Sequence, residues 1–516
     1  MTTPASITMR GRYRARAMEQ LLLPRHGAQP DGPDRGPGRG YGQDAPITLN
    51  EELAGEIAQL IEAGVLRPGE KIPSVRAMCG QRKISQATVL LAYHRLEDRG
   101  LIQTRPRSGY YVSGHWKDLP REPEISHPAL GTTEIDISDL VFEVLGAVKS
   151  RQVVPLGSAF PSPLLFPLTK LSKLLGSAAR KLDPWATVRD LSPGSWELRR
   201  QIAKRYLTTG VHVPLDEIVV TAGAMEALNL CLQAVTQRGD IVAVESPAFY
   251  AGLQAIERLG LRAIEIPTHP REGVDLAALE QALAKNDIKA CWFMPSFQNP
   301  LGSLMPDAKR KALVELLEPH GVPLIEDDVY AELHFGAQPA TPAKAFDRAG
   351  LVLHCGSFSK CLAPGYRIGW AAPGRFMRQV SRLKLMTSVA TNIPAQEALA
   401  QYLKQGGYEH HLRQLRHTLQ AQQNDLLLAL GEQFPPGTRI TRPQGGYFLW
   451  VELPEHVDTL NLHRQAASLG ISISPGPMFS ATRGYKNCMR LNYGHPWSPQ
   501  IADAVATLGQ LIKQAG

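Results

Sequence analysis

From Asp136 to the C-terminus, short apolar runs typical of strands alternate with amphipathic stretches typical of helices. This alternation constrains the fold, because parallel neighbouring strands must be joined by crossover connections, which are usually helices. It predicts an open, mostly parallel α/β sheet, and such sheets bind ligands beyond the carboxyl ends of their strands. The residues that follow each predicted strand are therefore the first candidates for a binding site.

The chain ahead of this α/β unit divides into three segments. Residues 1–46 are rich in Pro, Gly and Arg, and we expect them to be disordered because they cannot bury enough apolar surface to fold. A compact unit is predicted over 47–113, and a polar, proline-bearing linker over 114–135. The α/β unit then covers 136–516, with a smaller C-terminal α+β domain from about residue 385.

Composition narrows the class of protein. The chain is 43% hydrophobic and 20% charged, and it has no apolar run of the roughly 20 residues that a membrane span needs. With no signal-peptide core either, we expect a cytoplasmic protein without a membrane partner. The six cysteines form no CxxC or Cys/His cluster, which favours reduced thiols and no metal site. The net charge of +8 permits an acidic partner such as DNA.

The unit over 47–113 has the pattern of a helix-turn-helix. Apolar residues recur at helical spacing in LNEELAGEIAQLIEAGVL, and IPSVRAMCGQRKISQATVLLAYHRLEDRG predicts two helices separated by a tight turn. Ser74 and Ser85 precede these two helices and are suited to cap them. The first side chains of the second helix, Ser85, Gln86 and Thr88, are placed where a recognition helix presents its base-reading groups.

Two short strands are predicted in LIQTRPRSGYYV around Arg105 and Arg107, resembling a basic wing that grips phosphates. The whole unit resembles the winged helix-turn-helix of the GntR family, whose recurring text is matched by GVLRPGEKIPSVR, SQATV and LEDRG. Leu91 stands where relatives often carry a basic or polar side chain, as does Leu90. A small helical protein-docking module is the alternative to DNA binding. The resemblance implies DNA contacts from Arg76, Ser85, Gln86, Thr88, Arg105 and Arg107.

Two strand ends of the α/β unit suit a phosphate and a flat ring. One strand runs through Gly223 into a helix, whose first amides, at Ala224 and Met225, can bind a phosphate. The next is followed by Phe249 and Tyr250, either of which can stack on a ring. Each signal alone is more common in ordinary turns and cores.

Two further strand ends carry polar groups for the same ring. An amide at Asn299 can donate to a phenolate oxygen, although an Asn-Pro turn needs no ligand. The carboxylate of Asp327 can hold a heteroaromatic nitrogen protonated, and Tyr330 can reach the ring's oxygen. Asp327 and Asp328 could instead bind a metal, but no histidine or third carboxylate accompanies them.

The last strand end, GSFSKCLAPGYRIGW, places Lys360 among serines with Arg367 seven residues on. A free lysine has a pKa of about 10.4 and is a poor nucleophile at neutral pH. A partly desolvated lysine near an arginine loses its proton more readily and can form a Schiff base with an aldehyde. Ser357, Ser359 and Arg367 can meanwhile bind a phosphate dianion. Together the five strand ends describe a site for pyridoxal 5′-phosphate.

From about Pro155 onward the chain resembles fold-type I aminotransferases, in particular the group related to kynurenine and aminoadipate aminotransferases. The matching texts include TAGAMEAL, ESPAFY, QNPLG, EDDVY, SFSK and MRLNYG. The resemblance implies that Lys360 forms the internal aldimine and that Asp327 pairs with the pyridine nitrogen; in a working aminotransferase Lys360 would also shuttle the proton. It also assigns the 3′-oxygen to Asn299 and Tyr330, the ring face to Phe249 or Tyr250, the phosphate to Ser357 and Arg367, and the substrate carboxylate to Arg490.

A winged helix followed by an aminotransferase-like domain resembles the architecture of MocR-type regulators. The resemblance implies a homodimeric bacterial transcription factor that binds paired half-sites of double-stranded DNA and senses an amino acid, an amine or the cofactor itself. We hypothesise that a ligand held by Arg490 displaces Lys360 and closes the small domain, which shifts the DNA-binding domains. A working aminotransferase with a secondary winged helix, and a pyridoxal phosphate-dependent lyase or decarboxylase, are the alternatives.

Overall fold

The chain forms two compact units that divide between Leu119 and Pro120. The computed structural model describes residues 49–62, 65–66, 69–98, 100–105, 109–113, 119–146, 153–185, 192–336 and 338–515. The tail predicted over residues 1–46 lies outside the described residues.

The first unit is a three-helix cluster with a two-stranded sheet. Its elements are α1 (Leu49–Glu62), α2 (Val75–Arg82), α3 (Gln86–Asp98), β1 (Ile102–Arg105) and β2 (Gly109–Val112). The two strands pair antiparallel, with Ile102 opposite Val112. Fully buried side chains from all three helices, among them Ile57, Met78 and Tyr93, make one core, so the predicted helical faces are the ones that pack.

The second unit contains a nine-stranded sheet and a four-stranded sheet. Its strands are β3 (Thr132–Glu134), β4 (Val219–Thr221), β5 (Ile241–Ser246), β6 (Arg262–His269), β7 (Gly273–Val274), β8 (Ile288–Phe293), β9 (Leu324–Asp327), β10 (Val352–Ser357), β11 (Gly369–Ala372), β12 (Arg439–Ile440), β13 (Phe448–Glu452), β14 (Ser474–Pro475) and β15 (Cys488–Asn492). Its helices are α4 (Ser138–Gly146), α5 (Leu168–Arg180), α6 (Trp196–Thr208), α7 (Ala224–Val235), α8 (Tyr250–Arg258), α9 (Leu276–Lys285), α10 (Asp307–Leu317), α11 (Met377–Thr387), α12 (Ile393–Lys404), α13 (Gly407–Gln433), α14 (Thr459–Ser468) and α15 (Pro499–Gln514).

The large sheet runs in the order β3-β6-β5-β8-β9-β10-β11-β4, with β7 paired to β6. Strands β6, β5, β8, β9 and β10 are mutually parallel, whereas β11 is antiparallel to both of its neighbours. Nearly every residue of the central strands is buried, as expected for parallel strands with helices on both faces. The predicted mostly parallel α/β sheet is confirmed, and the carboxyl ends of its parallel strands share one edge.

The smaller domain is an antiparallel sheet in the order β12-β13-β15-β14, followed by the C-terminal helix α15. Residues near the start of the unit pack into this domain, because Arg121 bridges Arg439 of β12 and Val154 bridges Ile471, just ahead of β14. The small domain is therefore built from both ends of the unit, whereas the sequence analysis placed it only after residue 385.

The second half of the segment predicted as a linker, 114–135, is packed against the large sheet. Thr132–Glu134 form β3, which pairs antiparallel with β6, and the Ser126 hydroxyl bonds to the Ser246 carbonyl at 2.6 Å. The sequence TTE has no apolar alternation to mark an edge strand, so composition alone indicated a linker. These residues belong to the second unit.

All six cysteines are free thiols. Those of Cys231 and Cys355 approach to 3.6 Å within the core of the second unit. None of the described helices has the length and apolar character to span a membrane.

Candidate functional site

Lys360 follows β10 by three residues and lies at the shared edge of the parallel strands. Its Nζ donates to the Ala159 carbonyl at 2.9 Å and sits 4.0 Å from the centre of the Phe160 ring. Burial, reinforced by the positive charge of Arg490, lowers the pKa of Lys360 to about 7. The amine therefore loses its proton far more readily than a free lysine and can attack a carbonyl carbon.

Asp327 ends β9 and is 1% exposed. Neither carboxylate oxygen has a hydrogen-bond partner of good geometry, although the Val329 amide and the Trp292 indole lie near enough to favour the ionised form. Burial dominates and raises the pKa of Asp327 to about 7. A buried carboxyl left in this state is suited to a ligand that brings its own protonated nitrogen.

Tyr330 is buried three residues beyond Asp327 and packs edge-on against Tyr447 and Phe448, with ring centres 5.5 and 5.8 Å away. Its ring centre lies 5.7 Å from Lys360 Nζ. Burial raises the pKa of the Tyr330 hydroxyl above its usual range. The hydroxyl therefore stays protonated at neutral pH and can donate a hydrogen bond.

Asp328 belongs to a different cluster from Asp327. Its carboxylate bonds to His354 Nε2 at 3.1 Å, and His354 Nδ1 bonds to the Tyr206 hydroxyl at 2.7 Å. Glu326 lies close enough for one ligand atom from each of Glu326, Asp328 and His354 to fall within 4.8 Å. The expectation that no histidine or third carboxylate accompanies Asp328 is therefore wrong, because Glu326 lies beside it and His354 comes from the neighbouring strand. Both Glu326 oxygens accept backbone amides, from Ala343 and Lys344, so it already serves as a hydrogen-bonded structural group.

Groups suited to an anion meet at the start of α7. Gly223 has φ of +80° and leads into this helix, whose first amides have no intrahelical acceptor. Arg367, itself at φ of +52° after the turn at Pro364–Tyr366, donates to the Ser359 hydroxyl at 3.3 Å. The Ser357 hydroxyl accepts the Ser359 amide at 3.0 Å. Amides, hydroxyls and a guanidinium thus converge as phosphate sites require.

A cavity of about 160 Å³ lies between the lysine, the buried aspartate and tyrosine, and the groups suited to an anion. Lys360, Asp327, Tyr330 and Arg367 reach it together with two aromatic rings, Phe249 and Tyr250. The two rings contact each other with centres 5.2 Å apart. The remaining predicted residues that line it are Ala224, Met225, Ser357 and Ser359. The cavity can hold a flat heteroaromatic ring with an attached anion.

Arg490 lies on β15 of the small sheet and is fully buried. Its guanidinium donates to the Asn299 amide oxygen at 3.0 Å and to the Gly157 carbonyl at 2.9 Å. Arg490 Nε and Asn299 Nδ2 are both buried without an acceptor. Two unmatched donors on adjoining side chains suit a carboxylate, which accepts several hydrogen bonds.

The sequence analysis missed residues 157–160, which the structure places over the site. Their carbonyls accept hydrogen bonds from Lys360 and Arg490, and Phe160 covers the lysine. The Asn492 side-chain amide holds the same segment through Ser158 and Phe160. Backbone carbonyls carry no sequence signature, so no motif pointed to them.

In the first unit, Ser74 and Ser85 cap α2 and α3, accepting from the amides of Ala77 at 3.2 Å and Thr88 at 3.1 Å. The hydroxyls of Ser85 and Thr88 also bond to each other at 2.8 Å. Gln86 is exposed at the start of α3, and Arg76 is exposed on α2. Arg105 ends β1, but its side chain and the whole of Arg107 lie outside the described residues.

Two family models match the chain. The model of the family described as "Aminotransferase class I and II" matches residues 191–507. The model of the family described as "Bacterial regulatory proteins, gntR family" matches residues 49–112. The uncharacterized HTH-type transcriptional regulator YdcR of Escherichia coli (strain K12) is 44% identical, covering 90% of this chain and 99% of its own. Aromatic-amino-acid aminotransferase 1 of Thermococcus litoralis is 32% identical, covering 77% of this chain and 95% of its own.

Solved structures resemble the second unit. The multiple substrate aminotransferase of Thermococcus profundus is 30% identical with a TM-score of 0.68, covering 74% of this chain and 96% of its own. The Pyrococcus horikoshii kynurenine aminotransferase, solved with PMP and kynurenine, is 32% identical with a TM-score of 0.67, covering 74% and 95%.

Proposed function

The chain belongs to the class I and II aminotransferase family, within a group of GntR-type helix-turn-helix transcriptional regulators, and from this premise we propose its function. It is a pyridoxal phosphate-dependent transcriptional regulator that senses an amino acid or amine through its aminotransferase-like unit. The observation that carries this proposal is a DNA-binding family match joined in one chain to a ligand cavity with an unpaired buried aspartate. An aminotransferase needs the ligand cavity but has no use for a DNA-binding unit.

The cavity fits pyridoxal phosphate on features of this structure. The unpaired oxygens of Asp327 suit a pyridinium nitrogen, and the unpaired amide of Asn299 suits the ring's oxygen. At Gly223, a β-carbon would lie 2.5 Å from Arg367 Nη2, so the glycine leaves room for the arginine beside the helix amides. When bound, pyridoxal phosphate supplies an aldehyde that captures primary amines and a ring that withdraws electrons from the captured group.

We assign the following roles to the chain's own residues. Lys360 would provide the amine that holds the cofactor, and its Nζ could move a proton. Asp327 keeps the ring nitrogen protonated, and Tyr330 with Asn299 donates to the ring's oxygen. Phe249 and Tyr250 enclose the ring. Gly223, Ala224, Met225, Ser357, Ser359 and Arg367 bind the phosphate.

Arg490 then selects the ligand by its carboxylate. Its planar guanidinium is suited to a bidentate contact, and Asn299 already fixes one of its nitrogens. The carboxylate would compete with the Gly157 and Ser158 carbonyls for the same donors. Ligand binding therefore loosens residues 157–160 from the small sheet, which gives the protein two states that a ligand can favour unequally.

On DNA, Arg76, Ser85, Gln86 and Thr88 of the first unit, with Arg105 and Arg107, make the contacts we expect of a winged helix. We propose that the protein acts in the cytoplasm as a homodimer, so that two winged helices bind paired half-sites of an operator. The ligand alters DNA affinity only to the extent that it binds one of the protein's states more tightly.

A second candidate function is transamination between an amino acid and a 2-oxo acid. The observation that favours it is the position of Lys360 in one cavity with Asp327 and Tyr330, where burial lowers the lysine's pKa to about 7, the range that general acid–base catalysis at neutral pH needs. Two proteins similar to this chain, from Thermococcus litoralis and Thermococcus profundus, are named as aminotransferases.

One experiment separates the two candidates. The full-length holoprotein is incubated with single amino acids and 2-oxo acids while the cofactor's visible absorbance is followed, and bound genomic fragments are selected in parallel. Specific fragments whose binding changes with an amino acid that shifts the absorbance support the regulator. Rapid multiple turnover without any selected fragment supports the enzyme instead.

A further inference from the structure

The outward face of α3 is apolar at its centre. Val89, Ala92, Tyr93 and Leu96 are buried in the core of the first unit. Ala87 and Leu91 lie on the opposite side of the helix, one turn apart, and both are exposed. The Leu91 side chain is 53% exposed, and Leu49 on α1 is the other large apolar side chain that is exposed among the residues described between 49 and 113.

Some of the polar side chains predicted to read bases already make hydrogen bonds within the protein. The Ser85 hydroxyl accepts the Thr88 amide and bonds to the Thr88 hydroxyl, so both hydroxyls help to begin the helix. Gln86 remains free of such a bond among the described contacts. The first two turns of α3 therefore offer the DNA one amide side chain and an apolar stripe of Ala87 and Leu91.

The surroundings of the stripe point to DNA as its occupant. Arg76 on α2 and Lys83 in the turn before α3 are exposed, and neither has an ion pair within the described part of the unit. Cations beside an exposed helix favour the phosphates of a duplex whose major groove receives that helix. An apolar protein partner would leave these charges without a counterpart.

We infer that Leu91, with Ala87, is a specificity-determining residue that recognises the C5-methyl group of a thymine in each operator half-site. This inference rests on the proposed DNA-binding function and names the base class that the helix selects. In the major groove only thymine presents a methyl group, and small apolar side chains are its usual partners. Burying one methyl group predicts a preference of about fourfold for thymine over uracil at that position.

The test uses the full-length holoprotein and a site selected from genomic fragments. Each thymine of the site is replaced singly by deoxyuridine, which removes the methyl group and keeps the base pair, and the Kd is measured by fluorescence anisotropy. We expect a loss of about fourfold at one thymine per half-site. In Leu91→Ala the thymine-to-uracil ratio should fall toward one. Leu49→Ala, which removes an equally exposed leucine from α1, should retain the wild-type ratio.

The outcomes separate this inference from the function on which it rests. Specific binding with the same Kd for every deoxyuridine substitution overturns the role of Leu91 and leaves the regulator intact. A Leu91→Ala protein that loses affinity equally for all DNA, with the uracil ratio unchanged, overturns it as well and assigns the face to protein contact. Failure to select any site removes the proposed function itself.

Discussion

Gly223 and Arg367 approach so closely that a β-carbon on residue 223 would lie 2.5 Å from the arginine's Nη2. The contact joins the amino end of α7 to the loop that follows Lys360, so two strand ends distant in sequence converge at the proposed phosphate site. Position 223 requires glycine for two reasons. Its φ is positive, and a side chain there would collide with Arg367.

Gly223→Ala should therefore displace Arg367 and weaken pyridoxal phosphate binding. Losing a charged hydrogen bond to the phosphate predicts a loss of roughly 10- to 100-fold in affinity. Gly210→Ala is the matched control, because Gly210 also has a positive φ of +74° but has open space at its β-carbon. Equilibrium titration of the cofactor should separate the two variants, and equal affinities in both would contradict the assigned phosphate site.

The rate at which cofactor-free protein captures pyridoxal phosphate should follow the ionisation of Lys360. Because only the neutral amine attacks, the rate should rise with pH, reach half its maximum near the folded pKa of Lys360, about 7, and level off at higher pH. Arg490 lowers this pKa and Asp327 raises it. Arg490→Met should accordingly move the midpoint upward, and Asp327→Asn should move it downward. N-acetyl-lysine, measured in parallel, corrects for titration of the cofactor itself.

Asp327 should destabilise the cofactor-free protein as the pH rises. Its folded pKa of about 7 exceeds the value of about 3.9 for an unfolded chain. Between these values the folded state holds a proton that the unfolded state has lost, so raising the pH removes stability. Asp327→Asn should gain stability over the wild type from pH 4 to 7, by on the order of 4 kcal/mol at most.

Urea unfolding of the cofactor-free proteins at pH 5 and 7.5 checks this expectation. Asp503→Asn, at an exposed position of α15, is the control. Its difference from the wild type in free energy of unfolding should be the same at both pH values. The Asn variant at 327 should also bind pyridoxal phosphate more weakly, because an amide cannot hold the ring nitrogen protonated. A constant stability difference across the two pH values would argue against a buried, unpaired carboxyl at this position.

Arg490→Lys should reduce affinity for ligands that carry a carboxylate. A lysine keeps the charge but loses the bidentate contact, which predicts a loss of roughly 10- to 100-fold for an amino acid that shifts the cofactor absorbance. The corresponding amine without the carboxylate should bind the variant and the wild type alike. An equal loss for the acid and the amine would indicate that Arg490 supports the site only through Asn299 and residues 157–160.

The residues proposed to hold the cofactor could be named from the sequence because each cue is local to a strand end. Gly223, Asn299, Asp327 and Lys360 follow apolar runs, and parallel strands bring their carboxyl ends to one edge. The contact between Ala159 and Lys360 was beyond such reasoning, because it joins residues 201 positions apart through a backbone carbonyl. The cluster around Asp328 was hidden for a similar reason, since His354 enters from a neighbouring strand.

The first unit shows the same limit on a smaller scale. Ser74 and Ser85 were predicted as caps from their positions, and the structure confirms both. The bond between the Ser85 and Thr88 hydroxyls changes which side chains are left to read DNA, and only the folded helix reveals it. Leu91 then becomes a candidate reader in place of a missing polar contact.

The central claim is that one protein couples pyridoxal phosphate chemistry to DNA binding. The most direct measurement is the Kd for a selected genomic site, determined on holoprotein, on cofactor-free protein, and on holoprotein saturated with an amino acid that shifts its absorbance. We predict that ligand changes the Kd by at least about fivefold, the lower end of ordinary allosteric coupling. We also predict that Lys360→Ala, which lacks the cofactor's attachment point, abolishes that change. Identical Kd values in all three states of the wild-type protein would contradict the account.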